Sequence, residues 1–148
     1  MKIKYAALAF AAFAISTHAF ADDAADATAI VKKAVAYIKD NGKDKAFAEF
    51  NNPTGAFTKG ELYVFVSDMQ GKMLSHGANS KLIGKNLIEL KDADGKLFVK
   101  DYTDLAKTKG SGWVDYKWVN PNSKAIDKKS TYVEKADDVI VGAGIYKK

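Results

Sequence analysis

GSGWVDYKWVNPNSKAIDKKSTYVEKADDVIVGAGIY, residues 110–146, decides the fold. It reads as three β-strands separated by two polar turns. Side chains alternate along a strand, so Val114, Tyr116 and Trp118 share one face of the first, about 112–119, and Trp113, Asp115 and Lys117 the other. Asn120-Pro121-Asn122-Ser123 is a turn, because Pro presets φ and Asn tolerates unusual backbone angles. The second strand spans about 125–134, and Lys135-Ala136-Asp137-Asp138 reverses the chain. In the third, 139–146, Gly142 and Gly144 share one face and leave room for a close approach, by a packed helix or a ligand.

Upstream, about 61–68 and 72–76 read as a hairpin around Met69-Gln70-Gly71, with Leu62–Val66 unbroken in apolar residues. A loop from Gly77 to Gly84 follows. Two helices precede the hairpin. Residues 22–41 carry Ala27, Ile30, Val31, Ala34, Val35 and Ile38 at helical spacing. Asp22, Asp23 and Asp26 are expected in the first turns, where they suit the helix dipole. Asn41-Gly42 is a stop signal. A short helix, about 44–50, ends at Asn51-Asn52-Pro53. A third, about 96–109, has Leu97, Phe98, Tyr102, Leu105 and Ala106 on its apolar face. Asp92-Ala93-Asp94-Gly95 resembles the start of a calcium loop, but Thr103 stands where a late Glu is needed. The stretch is read as an ionic turn and helix cap.

These segments together resemble a known family. The carriers are Gly110-x-Gly-Trp-Val-Asp-Tyr-x-Trp118, Asn120-Pro121, Lys129-Ser-x-Tyr-Val133 and Val139-x-Val-Gly-Ala-Gly-Ile-Tyr146. To them add Tyr37-Ile-Lys-x-Asn-Gly42, Ala46-x-Ala-Glu-Phe-Asn51 and Leu62-Tyr-Val-Phe-Val-x-Asp68, with the His76 that closes the hairpin and Leu82-Ile-Gly-Lys-Asn-Leu87. The chain resembles a single Cache domain of the second type, a PAS-like extracytoplasmic sensor module of bacterial chemoreceptors and sensor kinases. The resemblance implies an α+β fold: a PAS-like, antiparallel five-stranded sheet with a long N-terminal helix and shorter flanking helices.

The N-terminus reads as a leader. Met1-Lys-Ile-Lys-Tyr5 is basic, residues 6–15 are apolar, and Ala19-x-Ala21 closes the segment. The expected domains are a signal peptide, 1–21, and one Cache domain, 22–148. An apolar run of about ten residues is half of what a spanning helix needs, so the mature chain is expected to be periplasmic and not membrane-spanning. Lys2 and Lys4 leave with the leader, which lowers the formal charge of +5 by two. All 23 basic residues are Lys. Arg supplies the phosphate forks and guanine contacts of nucleic-acid readout, so no nucleic-acid partner is expected. With no Cys, disulfides, thiolate metal sites and Cys nucleophiles are excluded.

The sequence has no Gly-x-Ser-x-Gly, no His-Glu-x-x-His, no Walker loop and no Rossmann glycine pattern, which argues against an enzyme. His76 is the only His left after leader removal, so a His-rich metal site is out, and no metal or cofactor is expected. The resemblance implies a small organic acid as ligand, such as acetate, propionate, pyruvate or lactate. Without Arg, its donors would be Lys, Tyr, Trp, His or backbone N–H. By position in the motif, Tyr116 and Trp118 are expected as pocket walls, Tyr132 and His76 as hydrogen-bond donors, and Lys129 as the charge partner. Alternation puts Lys129 and Tyr132 on opposite faces, so both reach one pocket only through a bulge or a twist. His76 reads equally as a histidine satisfying its own loop. Trp113 and Phe65 read as core. The chain stops after the last strand, so a membrane chemoreceptor or sensor kinase is expected as a separate partner. The rival reading is a ligand-free interaction module that docks through the sheet or the long helix.

Overall fold

A computed structural model describes residues 18–147. The first 17 residues of the expected leader lie outside that range. Among the described residues, no helix is long and apolar enough to cross a membrane.

Helix α1, His18–Asn41, opens the described chain. In the uncleaved chain this helix is already running before residue 22, so Asp22, Asp23 and Asp26 lie beyond the first described turn. Its apolar stripe is real: Ala27, Val31 and Ala34 are fully buried. Gly42 takes a left-handed φ of 81° and turns the chain into α2, Lys43–Phe50. Phe50, Phe57 and Tyr37 then stack edge-on, with the Phe50–Phe57 centroids 4.6 Å apart. Helix α3, Phe98–Lys109, presents Phe98, Val99, Tyr102 and Ala106 inward and ends at Gly110 in the left-handed region.

The strands are β1, Thr58–Lys59; β2, Leu62–Asp68; β3, Met73–His76; β4, Ser111–Val119; β5, Ile126–Ala136; and β6, Val139–Tyr146. They form one antiparallel sheet of six strands in the order β1-β2-β6-β5-β4, with β3 also pairing with β2. Five were expected. The sixth is the two-residue β1, too short to carry a hydrophobic period, paired through Thr58 with Tyr63 and through Lys59 with Leu62.

The sheet separates two cores. Val31, Ala34, Ala46, Phe50, Phe57, Val64, Val66, Val139, Val141 and Ala143 pack behind it, against α1 and α2. Tyr63, Phe65, Phe98, Val99, Tyr102, Val114, Tyr116, Val133 and Ile140 pack in front, against α3. Asp92 does not cap α3, whose N-cap position is Leu97 with no side-chain bond. Its carboxylate instead accepts from the backbone N–H of Asp94, Lys96 and Lys117, tying the preceding turn to edge strand β4.

Candidate functional site: a buried lysine beneath α3

Strand pairing puts Lys129 at the centre of the front face. It lies opposite Tyr116 of β4 on one side and Tyr146 of β6 on the other. Pairing of β5 is continuous along both neighbours, so parity holds throughout: Lys129, Thr131 and Val133 face α3, and Ser130, Tyr132 and Glu134 face away.

The side chain of Lys129 is 1% exposed. Gly144 is what lets it lie there. A Cβ at Gly144 would collide with the Lys129 stem and the Thr131 hydroxyl, and one at Gly142 with the Phe65 ring. The two glycines thus accommodate side chains of the sheet itself rather than a packed helix. Laid over β6, the ammonium donates to the Tyr63 hydroxyl at 2.8 Å and sits 4.3 Å from the Tyr63 ring centroid and 5.1 Å from that of Tyr146. None of the six ion pairs among the described residues involves it. A lysine taken out of water without a counter-charge favours its neutral form. Burial accordingly lowers Lys129 from its ordinary 10.5 to about 7.

His76 closes β3 beside this ammonium and is 4% exposed. Its ring lies 4.8 Å from that of Tyr63. Nδ1 accepts from the backbone N–H of Asn79 at 2.9 Å and of Ala78 at 3.2 Å. That arrangement requires Nδ1 without a proton and leaves the proton on Nε2. Burial, then the nearby Lys129 charge, lowers His76 to about 3, so the ring is a neutral donor at any physiological pH. Nδ1 thus satisfies its own loop, and Nε2–H remains as a donor. Asn51, at the end of α2, fixes the strand by accepting from the His76 N–H at 3.0 Å and the Ser75 hydroxyl at 2.7 Å.

Tyr116 and Thr131 join hydroxyls at 3.0 Å. Phe98 of α3 stacks on Tyr116 at 4.3 Å, nearly parallel, and tilts against the half-buried Trp118 at 5.3 Å. Burial raises the Tyr63 and Tyr116 phenols well above 10.0. Burial pushes Tyr102 up to about 12, with the Ser67 hydroxyl opposing. The Tyr102 and Ser67 hydroxyls are both buried and unpartnered among the described residues. At the β4 edge, a polar cleft of about 320 Å³ is lined by lysines 96, 117, 128 and 147 with Asp94 and Asp115, and Tyr116 and Lys129 form part of its wall.

The structure brings together His76, Tyr116, Trp118 and Lys129. It does not bring in Tyr132. With no bulge in β5, alternation wins: Tyr132 packs with the α1 core, and its hydroxyl donates to Glu134 at 2.9 Å. Trp113, expected in the core, is 41% exposed and leans on Tyr132 from the same outward side. Tyr63, Thr131 and Tyr146 also face the lysine, and sequence reasoning missed them. Parity held the signal for two of them, since Thr131 follows Lys129 by two and Tyr146 follows Gly144 by two. The unbroken apolar run around Tyr63 hid its face.

The sequence profile of the single Cache domain 2 family matches residues 21–148. This chain belongs to that family. Cache domains are extracytoplasmic sensor modules, a sensing class rather than a catalytic one. The chain is 31% identical over 86 residues to the methyl-accepting chemotaxis protein McpP of Pseudomonas putida, covering 57% of this chain and 16% of that protein. It is 34% identical over 86 residues to the sensor histidine kinase MctS of Rhizobium johnstonii, covering 57% and 18%. It therefore spans less than a fifth of either relative. Among solved structures, a methyl-accepting chemotaxis protein of Vibrio parahaemolyticus superposes with a TM-score of 0.73 at 27% identity, over 86% of this chain and 90% of that one. A Cache chemosensory domain described for carboxylic acid recognition gives a TM-score of 0.76 at 24% identity, over 90% and 100%. At that identity the second likeness speaks for the Cache fold alone.

Proposed function

We propose that this Cache domain is a periplasmic sensor-type binding protein for a small organic carboxylate, released by cleavage after Ala21, that works with a membrane chemoreceptor or sensor kinase. One observation carries the ligand class: Lys129 is buried without a carboxylate partner among the described residues. A buried cation lacking its counter-ion is costly, and a site that must recognise an anion has a reason to keep one. A carboxylate would meet the Lys129 ammonium, the His76 Nε2–H and the Tyr63 hydroxyl, with Tyr116 and Trp118 walling its apolar part. One solved Cache domain of the same fold is described for carboxylic acid recognition, so the fold is compatible with that ligand class.

The test is thermal unfolding of the exported protein, purified free of small molecules, against acetate, propionate, pyruvate, lactate, dicarboxylates, amino acids and amines. A ligand held only by the folded state, at a hundred times its dissociation constant, adds about 2.7 kcal/mol, worth several degrees of Tm. The expected result is a rise specific to carboxylates that disappears in Lys129→Met. N-terminal sequencing checks the cleavage site. A second reading rests on an open groove of about 380 Å³ formed by Ala24, Trp113, Ser130, Ile145 and Lys147. Exposed Trp113 there favours partner docking, and no shift across the whole panel would move the function to that face.

A further inference from the structure

We propose that the Lys129 site takes up a proton together with its carboxylate, so that affinity falls as pH rises through neutrality. This rests on the ligand class proposed above and adds a linkage to it.

Two arrangements can occupy the buried position without excessive cost. One is a neutral amine accepting from or donating to the Tyr63 hydroxyl; the other is an ammonium paired with an anion. Among the described residues the geometry offers no internal counter-ion. From β2, Lys129 faces Tyr63; from β6, Tyr146; from β4, Tyr116; from β3, His76. From α3, Tyr102 enters the same core. Glu61 and Asp127 act on Tyr146, and Asp68 on Tyr102, but none of these carboxylates forms an ion pair with Lys129.

The phenols cannot supply the missing charge. Burial holds Tyr63, Tyr116 and Tyr146 well above their ordinary values, and Tyr102 at about 12. His76, at about 3, stays neutral throughout. That leaves Lys129, at about 7, as the facing group that changes charge between about pH 6 and pH 9.

An arriving carboxylate favours the charged amine and raises its pKa. Above the ligand-free pKa the binding-competent fraction of Lys129 shrinks about tenfold per pH unit, and the apparent dissociation constant weakens by the inverse of that fraction. A pKa near 7 therefore weakens binding roughly a hundredfold from pH 6 to pH 9. Below pH 6 the profile is flat, until the ligand's own carboxylate protonates.

The experiment is calorimetric titration of the exported protein with whichever of acetate, propionate, pyruvate and lactate binds tightest. It is run at about pH 6 and pH 8 in buffers of different protonation enthalpy. The expected result is uptake of close to one proton per ligand at pH 8 and almost none at pH 6. A parallel NMR titration of the ligand-free protein should show one lysine side chain titrating near 7, absent in Lys129→Met. Tight binding with a flat pH profile and no proton uptake would overturn the linkage and leave the ligand class standing. Lysines that all titrate near their ordinary value would also overturn it. If neither these four acids nor any dicarboxylate of the wider panel binds, the linkage and the proposed function fall together.

Discussion

Behind the sheet, Val31, Ala34, Phe50, Val64, Val66 and Val141 meet in a core of hydrocarbon and aromatic rings, all of them fully buried. In front, the same strands bury Lys129, His76, Thr131 and Ser67 among Tyr63, Tyr102 and Tyr116. A core built for stability alone has no use for an unpaired lysine, since burying one costs more than the apolar residue that would fit there. The contrast separates what holds the domain together from the face on which the binding site is proposed. It also predicts how each face answers to mutation.

The largest loss of stability should come from the back. Phe50 is fully buried and packs on Phe57, Tyr37 and Phe47. Phe50→Ala should cost about 3–5 kcal/mol, the transfer term plus an incompletely collapsed cavity. Chemical denaturation measures it. Any protein that remains folded should keep the pH dependence of the carboxylate binding proposed for the Lys129 site, because no group facing Lys129 is altered. A change in that dependence would mean that the two faces are not separable.

On the front face the sign should reverse. Lys129 titrates at about 7 folded against an ordinary 10.5. Between those values the folded state binds fewer protons than the unfolded chain, so the stability contributed by this group rises with pH. Its penalty is complete below about 7 and gone above about 10.5. Lys129→Met should therefore stabilise the ligand-free domain at pH 6, on the order of 2 kcal/mol, and lose most of that advantage once the pH passes the ordinary 10.5. Denaturant midpoints of both proteins at pH 6 and above that value decide it. A variant less stable than wild type at pH 6 would show that the ammonium is well satisfied where it lies.

How much of this was legible follows from the same contrast. The helices, the hairpin and the three long strands carry hydrophobic periods of many residues, and their bounds in the structure lie within a few residues of those read from the sequence. The strand β1 has two residues and no period to read. The site depends on parity and on depth. Parity is in the sequence: Lys129 and Tyr132 stand three apart on a strand, and only a bulge or a twist could have joined them. Depth is not. That Lys129 is buried follows from Gly144 across the strand pair, which leaves the stem its space. A reading of one strand at a time cannot pair Thr131 with Gly144. Trp113 failed for the related reason that α1 covers the back of the sheet only in part, so the residue's type did not fix its burial.

The smallest expected effect isolates parity itself. Tyr132 belongs to the family motif alongside Lys129, yet its hydroxyl donates to Glu134, which is also paired with Lys32 of α1 at 3.3 Å. The ring packs behind the sheet, where Phe can replace it without changing shape. Tyr132→Phe should remove one hydrogen bond to a half-buried carboxylate and cost about 1 kcal/mol. It should leave the carboxylate's dissociation constant and the Lys129 titration where they were. Tyr116→Phe is the matched control on the front face. It removes a hydroxyl that pairs with Thr131 at 3.0 Å beside Lys129 and should weaken binding at comparable cost in stability. If Tyr132→Phe weakened binding as much as Tyr116→Phe, the back of the sheet would have to reach the ligand by moving, and the division between the two faces would fail at its best-defined point.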